Sequence, residues 1–278
     1  MAKKTDKAPI IVCQPKLLPQ KQWIKAASMA AAINPVNRPA QRAAALGRPL
    51  KPLELAVMTT KYWGAKGVDL SVSFLDNPSR LLRDRILSHM NAWSKTANVR
   101  FRYTAGRGQV RIARVQNDGY WSYVGTDILS IPLSRQTLNL DSFTMMTPES
   151  EFVRVVRHEA GHTLGFPHEH MRKELVDLID RQKAIAYFGQ TQGWTPQEVE
   201  FQVLTPLSKG SLIATDHADP KSIMCYQIPG TITKNGQPII GGTDIVASDR
   251  DFIARIYPTA KKPGKMTASR KRARRARR

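Results

Sequence analysis

The stretch RHEAGHTLGFPHEH, residues 157–170, holds four of the six histidines in a chain of 278 residues. Just ahead of it, Thr147 reads as an N-cap, Pro148 as a first-turn residue, and Glu149 and Glu151 as acids suited to the positive helix end. Phe152, Val155 and Val156 supply an apolar face, so the stretch is predicted to close an amphipathic helix. Four residues apart on such a helix, His158 and His162 project from one side. Their imidazole nitrogens can then reach one zinc ion at roughly 2.0–2.1 Å. Gly165 can end the helix in a left-handed conformation without steric cost, which turns the chain back and makes His168 the third expected ligand. Three protein ligands leave a coordination position open for water, the arrangement of a catalytic rather than a structural site. Glu159 lies beside the ligands without being one. It is expected to act as general base, taking a proton from zinc-bound water and returning it to a leaving amine, which is metal-assisted peptide hydrolysis.

The surrounding periodicities indicate how the helix is carried. Residues 68–75, VDLSVSFL, alternate apolar and polar and predict a half-buried strand. Asn77 and Pro78 read as the cap and first position of a helix, along which Leu82, Ile86, Met90 and Trp93 fall at helical spacing. Residues 99–103 and 109–115 predict two more strands. Residues 135–143, RQTLNLDSF, predict another, with Leu138 and Leu140 on one face and Asn139 and Asp141 on the other, as suits an exposed edge. The order of these elements implies an α+β fold, a sheet backed by helices. Ahead of it, residues 20–33 read as one short helix within a basic extension, residues 1–55, whose functional reading is a pro-segment or docking arm. The alternative is plain surface padding.

HEAGHTLGFPHEH resembles the extended zinc signature HExxHxxGxxH of the metzincin metallopeptidases. Glu169 after the third histidine, and the run HEHMR, resemble the astacin group in particular. SIMCY, residues 222–226, is similar to the family's Met-turn. The resemblance implies that Met224 forms an apolar floor under the histidines. It also implies that Tyr226 is a mobile fifth ligand that stabilises the oxyanion. WSYVG, residues 121–125, resembles the segment before the family's substrate-binding edge strand, which places Leu138, Asn139 and Leu140 on that edge. ASDRDFIARIYP, residues 247–258, resembles the closing helix. The fold that the resemblance implies is a metzincin, zincin-like architecture. It has a twisted mixed sheet with two long helices, an active-site cleft, and a smaller irregular C-terminal subdomain, spanning residues 56–258 with one catalytic zinc ion. Cys225 stands where the family has histidine, and is read as a small buried thiol, with metal contact or redox sensing as the lesser alternative. The family's paired disulfide cysteines are absent. No FxGD-like segment is present and Cys13 lacks a cysteine-switch motif, so the sequence supports latency by neither route.

Charge sets the rest. The net charge is +21, yet residues 56–258 carry 23 basic against 20 acidic residues. Residues 259–278 hold ten Lys/Arg and no acid, and residues 1–55 hold ten against Asp6 and Glu54. The C-terminal block is expected to be a disordered tail able to bind nucleic acid, anionic lipid or an acidic cell-wall polymer through counterion release. A second functional class is therefore a metzincin scaffold without catalysis that binds polyanions, although an intact Glu159 favours the enzyme. Two cysteines exclude a disulfide framework, and no apolar run is long enough to span a membrane. No signal peptide is visible, so a cytoplasmic or non-classically exported protein is expected, whereas the resembled family is usually secreted. A protein or peptide is the expected substrate, and the oligomeric state is not legible.

Overall fold

Alternating and helical periodicities become strands and helices in the computed structural model, which describes residues 13, 16–39, 51–52, 56, 59–207 and 217–259. The expectations for the basic tail fall on residues 260–278, outside the described residues. In chain order come helix α1 (Trp23–Ile33), strand β1 (Val68–Phe74), helix α2 (Arg80–Met90) and strands β2 (Val99–Tyr103), β3 (Val110–Ala113), β4 (Tyr120–Ser122) and β5 (Leu138–Leu140). Helix α3 follows over residues 149–163, then α4 (Lys173–Val176), α5 (Arg181–Gln192), α6 (Pro196–Val199) and α7 (Ala247–Ile256). None of the described helices is long and apolar enough to cross a membrane.

The five strands form one mixed sheet in the order β2-β1-β3-β5-β4. β1 runs parallel to β2 and β3, β3 runs parallel to β5, and only β4 is antiparallel to its neighbour. Val72, Val110 and Ile112 of the sheet, Ile86 and Met90 of α2, and Phe152 of α3 are fully buried in one apolar core. Each such side chain contributes roughly 1.5–3 kcal/mol by leaving water. A second core in the C-terminal half gathers Ile179, Phe188, Val199, Val203, Ile228 and Ile232. Apart from the 12-residue α5, the helices there are single turns, α4 and α6 having four residues each.

Three expectations need correction. The cap of α2 is Ser79, whose hydroxyl accepts from Leu82 N; Asn77 sits two residues earlier in a left-handed turn (φ 46°). Thr147 accepts from Thr144 N and caps no helix. Most consequentially, Leu138, Asn139 and Leu140 do not form an edge. β5 lies between β3 and β4, and all three residues are buried. The Asn139 side chain faces Val115 and Gly119 rather than water, accepting from Val115 N and donating to the Val115 and Gly119 carbonyls. The edge is β4, a strand too short at three residues to show an alternating pattern.

Two features fix the frame around the sheet. Arg111 of β3 is buried, and its guanidinium donates to the carbonyls of Gly108, Gln109, Arg135 and Ile131, so backbone dipoles rather than a carboxylate solvate the charge. The N-terminal segment, for its part, is packed on the body. α1 buries Ala26, Ala27 and Ala30. The fully buried Asn37 donates to Ala30 and Tyr62 carbonyls and accepts from Tyr62 N and Thr60 Oγ1. That side chain stitches the segment to the strip leading into β1.

Candidate metal centre

Helix α3 delivers the first two histidines. Its middle, Phe152–Val156, is wound as a π-helix before the α-helical Arg157–Thr163. π-turns inside helices are frequent at functional sites. Trp93 Nε1 donates to the Arg157 carbonyl and Trp63 Nε1 to that of Thr163, so indoles clamp the α-helical part from both ends. Gly165 adopts φ 100°, a left-handed value that a residue with a side chain reaches only under strain. The chain reverses there and brings His168 onto the first pair.

The three predicted ligands meet. His158 Nε2 and His162 Nε2 lie 3.1 and 3.0 Å from His168 Nε2. His158 Nδ1 is 2.6 Å from the Ile223 carbonyl, and His162 Nδ1 is 2.7 Å from that of Phe166. A carbonyl only accepts, so both Nδ1 atoms carry the proton and both Nε2 atoms present bare lone pairs. Burial lowers all three imidazole pKa values, that of His158 to about 4. Neutral, buried lone pairs pointing at one another repel unless a cation lies between them. Tetrahedral zinc with ligands at ~2.05 Å separates nitrogens by roughly 3.3 Å, close to the spacing found, so the residues fit the ion. Backbone partners on the far ring nitrogens are the usual device for fixing ligand orientation.

Glu159 is buried beside the ligands, and among the described residues neither carboxylate oxygen has a hydrogen-bond partner. Burial pushes its pKa up to about 8, with the Cys13 thiol alongside and the Arg154 charge acting the other way. Beneath the helix, Met224 packs so closely on Gly161 that a Cβ there would collide with its sulfur. Met224 reaches that place because its turn is bound at several points. The Met224 amide donates to Ser222 Oγ, Ser222 Oγ donates to Asp249 Oδ1, and Ile223 N donates to Asp249 Oδ2. Glu169 N donates to the Met224 carbonyl, which couples the third-ligand loop to the same turn. Tyr226 stacks on His170, ring centroids 4.0 Å apart and planes 13° from parallel, and its buried hydroxyl has no hydrogen-bond partner among the described residues. Cys225 is buried, its thiol donating to the Tyr226 carbonyl, and burial raises its pKa strongly.

Two residues escaped the sequence reading. Asp249 is visible there only as part of a helix, and nothing local announces a bond to a turn 26 residues earlier. For Cys13, weighed above and set aside for want of a flanking motif, it is the placement that could not be read. Its sulfur belongs to the same cluster as the ligand atoms of His158, His162 and His168, all within 4.8 Å of one another. Near it, Lys16 N donates to the Ser122 carbonyl at 3.1 Å, and Lys16 bridges Tyr123 in the parallel sense. The Cys13 thiol, which the sequence leaves without a cysteine-switch motif, thus lies beside the three ligand nitrogens. No motif flanks Cys13, and its contacts are made far along the chain.

Residues 57–240 match the family model described as Astacin, a peptidase family. The zinc metalloproteinase nas-27 of Caenorhabditis elegans is 34% identical over 174 residues, which are 60% of this chain and 35% of that protein. The chain thus spans about a third of the length of that curated relative. Among solved structures, one of myroilysin is 30% identical and covers 72% of this chain and 97% of its own, with a TM-score of 0.68. A second myroilysin crystal structure, also 30% identical, gives 0.55 with 72% and 86% covered.

Proposed function

This chain belongs to the astacin family of metallopeptidases, and from that premise we propose that it is a zinc metalloendopeptidase in which His158, His162 and His168 hold the ion and Glu159 is the general base. One observation carries the reading: bare Nε2 atoms converge on a point beside a buried carboxylate that has no hydrogen-bond partner among the described residues. When bound, the ion supplies a Lewis acid that polarises a carbonyl and lowers the pKa of water to about 7. Glu159 takes the proton from the attacking water and hands it to the departing amine nitrogen as the C–N bond breaks. Tyr226, its buried hydroxyl without a hydrogen-bond partner among the described residues, donates to the oxygen on which negative charge develops. Met224 seats the helix that carries the first two ligands. An extended peptide adds its backbone to the outer side of β4, where Lys16 N now meets the Ser122 carbonyl, in the role first expected of Leu138, Asn139 and Leu140.

The test uses a chain carrying Cys13→Ser, so that no thiol competes for the metal, beside the same chain carrying Glu159→Gln as well. Both should hold about one zinc per chain, while the first cleaves a quenched peptide library ~10²–10⁴-fold faster. Zinc in both with equal or absent cleavage would refute the assignment of the base.

A further inference from the structure

We propose that His170 is a positioning residue for Tyr226, holding the phenol ring in the plane from which its hydroxyl meets the developing oxyanion. The inference rests on the role given to Tyr226 above and adds how that role is prepared. His170 is the last histidine of the 157–170 stretch and lies outside the cluster of ligand atoms that His158, His162 and His168 form. It is nevertheless fully buried, and its Nδ1 has no hydrogen-bond partner among the described residues. A buried polar atom left unpaired costs free energy that an apolar side chain of similar size does not. Packing alone is served better by phenylalanine or leucine, so an imidazole at this place needs another reason.

Its contacts supply that reason. His170 Nε2 lies 3.0 Å from the Gln202 carbonyl. A carbonyl only accepts, so Nε2 carries the proton and donates it. That single bond fixes the plane of the imidazole, which an apolar ring has no atom to do. Gln202 belongs to the helical turn Glu200–Leu204, so the anchor comes from the C-terminal half of the fold. On the fixed plane lies Tyr226, its centroid 4.0 Å away and its ring 13° from parallel. The His168 ring is also close to Tyr226, at 4.1 Å, but tilted by 51°. Tyr226 therefore rests on two imidazoles, one belonging to the metal centre and one tied to the backbone of a separate helical turn. A hydroxyl that answers charge formed only in the transition state contributes most when its direction is set beforehand. His170 thus passes a backbone hydrogen bond at Gln202 on to the orientation of that hydroxyl.

The zinc-loaded Cys13→Ser chain is compared with chains that also carry His170→Ala, His170→Phe, Tyr226→Phe, or His170→Ala together with Tyr226→Phe. Each should hold about one zinc ion, since three histidines complete the protein's share of the shell. His170→Ala should lower kcat ~10–100-fold with KM nearly unchanged. His170→Phe keeps a ring under the phenol but loses the Gln202 bond, and should fall between the two. In the Tyr226→Phe chain, His170→Ala should change kcat by less than ~2-fold, because the hydroxyl to be aimed is already gone. A phosphinic peptide, whose tetrahedral oxygens resemble the intermediate, should bind His170→Ala more weakly in the proportion by which kcat falls. A parental kcat in His170→Ala, a loss of equal size in the Tyr226→Phe chain, or zinc missing from both His170 variants would overturn the proposal. If Tyr226→Phe itself leaves kcat intact, the role of Tyr226 fails and this inference with it, while the zinc site and Glu159 stand.

Discussion

Replacing Gly161 by alanine tests whether the methionine beneath the metal helix is a true floor. Gly161 lies between His158 and His162 in the interior of an α-helix, where alanine is ordinarily favoured over glycine by about 1 kcal/mol. Here the added Cβ would overlap the Met224 sulfur and stand 3.1 Å from Trp93 Cζ2 and 3.2 Å from Met224 Cε. Carbon contacts relax at ~3.5–4.0 Å, so a buried thioether must move by more than the core gives freely. Overpacking of this kind costs ~1–3 kcal/mol, which outweighs the propensity gain and leaves a net loss of about 1 kcal/mol. In a domain of this size that lowers Tm by roughly 2–4 °C. Thermal unfolding of the metal-loaded chain is the assay, extended by a cycle with Met224→Ala. Truncating Met224 alone costs ~2–5 kcal/mol through the cavity it leaves. The double variant should lose less than the sum of the singles, because the cavity accepts the new methyl group. A Gly161→Ala protein more stable than the wild type, or a strictly additive cycle, would refute the floor.

Other outcomes are equally definite. Tyr226→Phe in the Cys13→Ser chain should reduce kcat ~10²-fold with KM nearly unchanged, because the lost donor acts on charge that exists only in the transition state; steady-state kinetics decide it. Burial holds the Asp249 pKa above its ordinary 3.8 despite three hydrogen bonds to the carboxylate. The folded state therefore keeps that proton more tightly than the unfolded chain. Its stabilising contribution is complete below pH 3.8 and is lost as pH rises through the folded value. Denaturant titrations should accordingly show the wild type losing stability relative to Asp249→Asn as pH climbs from that point. A pH-independent difference between the two would contradict the burial argument.

Whatever is local could be read from the sequence. His158 and His162 are four apart on one helix, Gly165 three residues on, and each relation is fixed by backbone geometry within a few turns. β1, β2 and β3 announce themselves by alternation over four to seven residues. The edge of the sheet did not, because three-residue β4 carries no period. Its partner β5 presents a polar Asn139 that suggests solvent, yet spends its amide on backbone groups inside the fold. Asp249 and Cys13 were illegible for a different reason. Each acts on residues far away in sequence, and a buried carboxylate or thiol looks the same in a string of letters whether or not it has a task.

That distance has a consequence for how the protein is made. The His158 ring is oriented by the Ile223 carbonyl 65 residues downstream, and the Trp63 amide binds the Tyr257 hydroxyl 194 residues away. A ribosome adding ~5–20 residues per second needs roughly 10–50 s to go from Cys13 to Tyr257. Throughout that interval the thiol and α1 are already synthesised while the metal centre they face still lacks its floor and its closing helix. All three histidines of the candidate metal centre are therefore made before the groups at Ile223, Met224 and Tyr257 that orient and floor them.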